Sequence, residues 1–226
     1  MTRQLSFDLP ARVVLGREDF FVSPANALAV AMIDDCDAWP NRKLVLSGPA
    51  GAGKTHLAHV WSAARDARLM RARDLTAGIV PDLARGPVGI EDVPAIATNA
   101  PAQAALFHLF NLTQAEAKPM LLTGRGAPSH WGLTLPDLHS RVSAACHVAL
   151  EPPDDALLAA VLAKLFADRQ IVPKPNLIPY LVAHMERSFD TAARLVDALD
   201  RAALDTGLGL SRTLAARLLG DGKTTG

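Results

Sequence analysis

Lys43-Leu44-Val45-Leu46-Ser47-Gly48-Pro49-Ala50-Gly51-Ala52-Gly53-Lys54-Thr55 is the stretch on which the fold turns. Its first five residues form a short, mainly apolar run that stops at a glycine, as a strand buried on both faces does. The next eight satisfy GxxxxGK[ST], and a helical pattern takes over from Lys54 to about Ala64. Strand, glycine-rich turn and helix in that order give the spacing its meaning. The glycines let the backbone curl so that its N–H groups face phosphate oxygens at a helix N-terminus. Gly48, Pro49, Ala50, Gly51, Ala52, Gly53, Lys54 and Thr55 are therefore the candidate phosphate-binding residues. Lys54 would reach the β- and γ-phosphates, and the Thr55 hydroxyl would ligate magnesium. The motif speaks strongly for a nucleotide and says nothing of its use.

Outward from this loop, short apolar runs recur near Arg68–Arg71, Val88–Val93, Pro119–Thr123 and Ala145–Leu150. Helical or loop-like segments such as Ala102–Ala117 separate them, which is the pattern of an α/β fold with a parallel sheet covered on both faces. Ser23-Pro24 reads as the N-cap and first residue of an earlier helix running toward Asp37. After Glu151-Pro152-Pro153 the strands cease. Helices are expected over Asp154–Arg169, Pro175–Met185, Phe189–Leu204 and Ser211–Leu219. The expected organisation is an N-terminal arm at 1–12, an α/β nucleotide-binding domain at 13–152 and a small helical domain at 153–226.

Composition narrows the field. Of 226 residues half are apolar, so disorder is excluded as the main state. The 23 basic and 23 acidic side chains cancel, which leaves no whole-chain footprint for wrapping nucleic acid. No apolar run is long enough for a membrane span, and the first residues lack the apolar stretch of a signal peptide, so a cytoplasmic protein is expected. Cys36 and Cys146 lie far apart and read as small hydrophobes. His56 and His59 are three apart on one helix but have no neighbours to complete a zinc set, so they read as packing or surface groups. Phe107 and Phe110 share an apolar helix face and read as core.

A phosphate loop needs acidic partners on a neighbouring strand to hold magnesium and water. Val88-Gly89-Ile90-Glu91-Asp92 supplies them, but with Glu91 at the metal-side position and Asp92 where a water-orienting acid belongs. A carboxylate displaced by about an ångström can cost on the order of a hundredfold in rate. Nucleotide binding is expected to survive this order, and fast intrinsic hydrolysis is not.

With these residues in hand, the chain resembles AAA+ proteins, and more narrowly the DnaA-related Hda family, regulatory inactivators of the replication initiator DnaA. The resemblance covers nearly the whole chain. It is carried by Phe20-Phe21-Val22-Ser23-Pro24-Ala25-Asn26, the phosphate loop, the Glu91-Asp92 and Leu121-Leu122-Thr123-Gly124 strand ends, and Leu135-Pro136-Asp137-Leu138-His139-Ser140-Arg141-Val142. The last of these is similar to the family's arginine-finger box, and the helical tail is similar to the AAA+ lid. The resemblance implies a five-stranded parallel sheet, ADP or ATP with magnesium in the cleft, and Arg141 acting in trans on ATP held by DnaA. It also implies a lid sensor arginine, yet Asp190 stands at the aligned position, leaving Arg187 and Arg194 as substitutes within a helical turn.

Gln4-Leu5-Ser6-Phe7-Asp8-Leu9 resembles the clamp-binding peptide of bacterial replication proteins. In an extended segment Leu5, Phe7 and Leu9 share one face, with Gln4 setting register. The implied partners are thus DnaA and the β sliding clamp of the DNA polymerase, with no sequence-specific DNA contact because the resemblance stops at the lid without a helix-turn-helix. The implied role is negative regulation of replication initiation, with weak or no intrinsic ATPase and a structural ADP. The alternatives are an autonomous AAA+ motor, such as a helicase or clamp loader, and a DNA-binding DnaA paralogue; a homo-oligomer also stays open.

Overall fold

In a computed structural model of the protein, which describes residues 21–206 and 210–221, five strands form one sheet in the order β2-β3-β4-β1-β5. They are β1 (Lys43–Ser47), β2 (Arg68–Arg71), β3 (Val88–Glu91), β4 (Met120–Gly124) and β5 (Cys146–Ala149), and every pairing is parallel. β1 lies between β4 and β5, with Ser47 opposite Gly124 on one side and Ala149 on the other. This is the five-stranded parallel sheet that the resemblance implied.

Alternation along β1 explains how a run of apolar residues serves two layers. Val45 faces the cluster formed with α3 (Val80–Leu83), α4 (Ala100–Ala115) and α5 (Pro136–Ala144). Leu44 and Leu46 face the opposite cluster, built by α1 (Ala27–Asp34) and α2 (Lys54–Arg65). Successive strand side chains point to opposite faces, so a strand buried on both must be apolar throughout.

The first helix begins later than the sequence pattern suggests. Ser23-Pro24 does not cap α1; the Ser23 N–H donates to Asn26 Oδ1 and the Ser23 carbonyl accepts from Asn26 and Ala27, which makes a tight turn before the helix starts at Ala27. The helix also stops at Asp34, and a 3₁₀ turn at Cys36–Ala38 completes the connection. The segment between β2 and β3 is folded into 3₁₀ turns and the short α3, none of which was legible from periodicity.

Beyond the Glu151-Pro152-Pro153 link, α6 (Asp155–Asp168), α7 (Leu177–His184), α8 (Phe189–Thr206) and α9 (Arg212–Asp221) share a third core around Leu158, Leu162, Phe166, Leu181 and Val196. Asp154 caps α6, its carboxylate accepting from the Leu157 N–H at 2.8 Å. That bond holds the Asp154 carboxyl below its ordinary pKa. Among the described residues no helix is long and apolar enough to cross a membrane.

Candidate functional site

Because the strands are parallel, their carboxyl ends all lie along one edge, and ligand clefts of open α/β sheets form there. Four strand ends build a cleft of about 340 Å³ on this edge. The loop after β1 brings Ala50, Gly51, Lys54 and Thr55, the end of β3 brings Glu91 and Asp92, and β4 brings Thr123, Gly124 and Arg125. Arg71 and Arg73 come from the end of β2, and Asp190 enters from the first turn of α8.

The loop has the backbone its glycines predict. Gly48, Gly51 and Gly53 take φ values of 150°, 67° and 93°, in the region that side-chain-bearing residues rarely adopt. Gly51 is required for a second reason. A Cβ there would lie 1.9 Å from the Ser188 hydroxyl, because the helical domain rests directly on the loop. The Phe189 N–H donates to the Gly51 carbonyl at 2.9 Å, and the Phe189 ring would meet a Cβ at Gly53 at 3.0 Å. Phosphate loop and lid are thus in contact through the two residues that open α8.

Lys54 lies back along its own loop, its ammonium donating to the carbonyls of Gly48 (2.8 Å) and Pro49 (2.6 Å). Partial burial lowers its pKa, the nearby Arg125 guanidinium lowers it further, and Asp92 and Asp190 oppose both. Glu91 has one carboxylate oxygen, Oε1, buried with no hydrogen-bond partner among the described residues. An unpaired buried acceptor is costly, so this oxygen suits a cation or its water. Asp92 is exposed, adopts a left-handed φ of 55° and donates its N–H to Thr123 Oγ1 at 3.2 Å. A non-glycine residue held there stores strain at the strand end that carries the acids. The glycine cradle, the orphaned Glu91 oxygen and the exposed Thr55 hydroxyl fit a nucleotide with magnesium, Thr55 and Glu91 being the residues that would hold the metal.

Of the residues singled out from the sequence, the loop, Glu91 and Asp92 come together around this cleft. Neither Arg187 nor Arg194 lines it. Arg187 precedes α8 instead of lying on it, so helical spacing from Asp190 does not apply. It pairs with Asp155 at 2.6 Å and donates to the Pro153 carbonyl. Arg194 is on the helix but bonds locally to Thr191 Oγ1 at 3.1 Å and is exposed. Asp190 itself faces the cleft, where an acid near a helix N-terminus is electrostatically at home. Arg71, Arg73 and Arg125 were missed by the sequence reading. The available signal was position, since each sits at or just past a parallel strand's carboxyl end.

Arg141 lies far from this cleft. In the last turn of α5 it lines a small hollow with Pro40, Asn41 and Lys43 at the amino end of β1. β1 spans Lys43–Ser47, so at ~3.3 Å per residue some 13 Å of strand separates that hollow from the phosphate loop. The guanidinium donates to Gln114 Oε1 at 3.2 Å and lies over Phe107 and Phe110 of α4, 5.3 and 5.8 Å from their ring centroids. Phe110 is buried, while Phe107 packs only partly against the core. Gln4, Leu5, Ser6, Phe7 and Leu9 lie outside the described residues.

No protein-family model matches the chain. It is 29% identical over 221 residues to the chromosomal replication initiator protein DnaA of Caulobacter sp. (strain K31), covering 86% of this chain and 45% of that protein. The chain therefore spans less than half the length of that relative. It is 25% identical over 182 residues to an uncharacterized protein of Haemophilus influenzae, covering 76% and 79% of the two chains. Among solved structures it is similar to domain III of the Thermotoga maritima replication initiation protein DnaA, with a TM-score of 0.76, 20% identity and coverage of 90% and 95%. It is also similar to AMPPCP-bound DnaA from Aquifex aeolicus, with a TM-score of 0.67, 18% identity and coverage of 81% and 64%. The fold is that of a DnaA-like AAA+ module.

Proposed function

We propose that this chain is a nucleotide-binding regulator of the replication initiator DnaA, which it drives toward the ADP form by presenting Arg141 to ATP held by that partner. The single observation that carries this reading is the position of Arg141: it lies at the opposite end of β1 from the chain's own phosphate loop, lining a surface hollow. A guanidinium so placed can serve a nucleotide only on another subunit. Such arginines neutralise charge developing on the transferred phosphoryl group and supply roughly 10³–10⁵ in rate.

The chain's own cleft, in this reading, holds adenine nucleotide as a structural ligand. The AMPPCP-bound DnaA neighbour supports adenine nucleotide in a cleft of this architecture. Backbone N–H groups of the 48–55 loop would cradle the phosphates, Lys54, which now donates to the Gly48 and Pro49 carbonyls, would reach them, and Thr55 and Glu91 would hold magnesium. Bound magnesium would neutralise phosphate charge there. Asp190 faces the cleft where a cationic sensor would otherwise favour a third phosphate, so ADP is retained over ATP. The contact of Ser188 and Phe189 with Gly51 then ties lid orientation to occupancy of the loop. Gln4 to Leu9 would anchor the chain to the sliding clamp, and soluble, cytoplasmic action follows from these partners.

Steady-state turnover tests the division of labour. The isolated chain should hydrolyse ATP negligibly, and adding DnaA should produce hydrolysis that persists in Lys54→Ala once that variant is shown to fold. Robust hydrolysis by the isolated chain would instead identify an autonomous motor.

A further inference from the structure

The hollow at Arg141 has a volume of about 160 Å³ and is lined by Lys43 and Arg141 with Asn41, Phe110 and Gln114 among their neighbours; no carboxylate among the described residues lines it. Lys43 is only 1% exposed, the first residue of a strand otherwise filled with apolar and small side chains. Its ammonium donates to the Lys118 carbonyl at 3.1 Å and stands 5.5 Å from the centroid of the Phe110 ring. The Arg141 guanidinium carbon stands 5.8 Å from that same centroid. Two cations therefore share one aromatic ring, and among the described residues neither is paired with an acid. Burying an ammonium without a counter-charge is expensive, and an isosteric methionine would fill the position at lower cost. Both groups also keep donors in reserve. Lys43 uses one of its three N–H groups on Lys118, and Arg141 uses one of its five on Gln114.

We propose that Lys43 and Arg141 together form a receptor for a tetrahedral phosphate-type oxyanion presented by a partner molecule, with Lys43 as the second cation beside the guanidinium. The partner's identity rests on the function proposed above; the anion site does not. The two donor types suit a phosphoryl group. A planar guanidinium takes two oxygens in parallel while an ammonium acts as a point charge on a third. Phe110 supports both side chains beforehand, so little ordering is needed when the anion arrives. Burial already pushes Lys43 down to about 8, and a bound anion would reverse that displacement.

The test follows the Lys43 side chain by NMR through a pH titration of the intact protein, with and without inorganic phosphate, and with acetate as the comparison. Phosphate should raise the Lys43 midpoint by about one unit or more. Acetate should raise it less, and Arg141→Met should abolish the response. An unmoved midpoint overturns the site, and equal effects of acetate and phosphate overturn the phosphate assignment. In parallel, Lys43→Met should keep or raise the melting temperature while lowering stimulated hydrolysis of DnaA-held ATP by about fivefold or more. A lowered melting temperature with normal stimulation would make Lys43 structural and overturn the proposal. A phosphate response retained while neither Lys43→Met nor Arg141→Ala affects DnaA would uphold the anion site and reject the trans-acting reading.

Discussion

Replacing Gln103 by leucine should cost about 2–4 kcal/mol of folding free energy, far more than its modest change of shape would suggest. Gln103 is fully buried in α4, and its amide joins the exit of β3 to the entrance of α5. Nε2 donates to the carbonyls of Ile96 (3.0 Å) and Ala97 (2.7 Å), and Oε1 accepts from the N–H groups of Thr134 and Leu135, both at 2.9 Å. Leucine fills the space and abandons these groups. The Ile96 carbonyl keeps the Asn99 N–H, so the Ala97 carbonyl and the two N–H groups lose their partner. At about 1 kcal/mol for each lost bond, and up to about 3 for a group left buried and dry, three groups give at least ~3 kcal/mol. Thr134 is exposed and can recover water, which lowers the bound. Urea unfolding followed by tryptophan fluorescence measures the cost, Trp39 and Trp61 being stacked in the same domain. A loss below about 1 kcal/mol would refute the reasoning, because the backbone groups would then be satisfied without the amide.

Other substitutions test the cleft and the hollow separately. Gly51→Ala should destabilise by about 1–3 kcal/mol and weaken ADP binding in calorimetry, since the new Cβ needs both a left-handed backbone and the space held by Ser188. Asp190→Arg should raise affinity for ATP with magnesium relative to ADP, measured by paired titrations; an unchanged ratio would remove Asp190 from the phosphate site. Lys43 predicts a pH dependence. Its folded pKa is depressed to about 8 from 10.5, so folding favours its neutral form. The stability it contributes is complete above pH 10.5 and lost as pH falls through about 8, a rise with pH of up to about 3 kcal/mol across that window. Lys43→Met should remove this rise, as the difference between the two proteins' stability–pH curves will report.

Much of the architecture was legible because a buried parallel strand leaves little freedom in its residues. The expected limits of β1 and β2 match the structure at both ends, and those of β3, β4 and β5 differ by one or two residues. Helix starts were harder. Ser23-Pro24 has the composition of a cap, but Asn26 offered a competing side-chain partner and closed a turn first. The phosphate loop and the two acids could be read because their chemistry demands fixed spacing. Arg71, Arg73 and Arg125 had only their position to mark them, since the assembled sheet is what brings the ends of β2 and β4 to one cleft. Arg187 misled because helical spacing was applied across the start of α8, and Arg194, though on that helix, bonds locally to Thr191 instead of reaching the cleft. Lys43 carried no signal beyond a charge opening an apolar run, and its meaning lies in Phe110 and Arg141, distant in sequence.

Hydrolysis of ATP held by DnaA, followed with DNA-loaded sliding clamp and either this chain or its Arg141→Ala variant, tests the central claim most directly. The intact chain should accelerate conversion to the ADP form, and the variant should lose at least about tenfold of that acceleration while its fold and nucleotide binding stay unchanged. Full acceleration by Arg141→Ala would contradict the account.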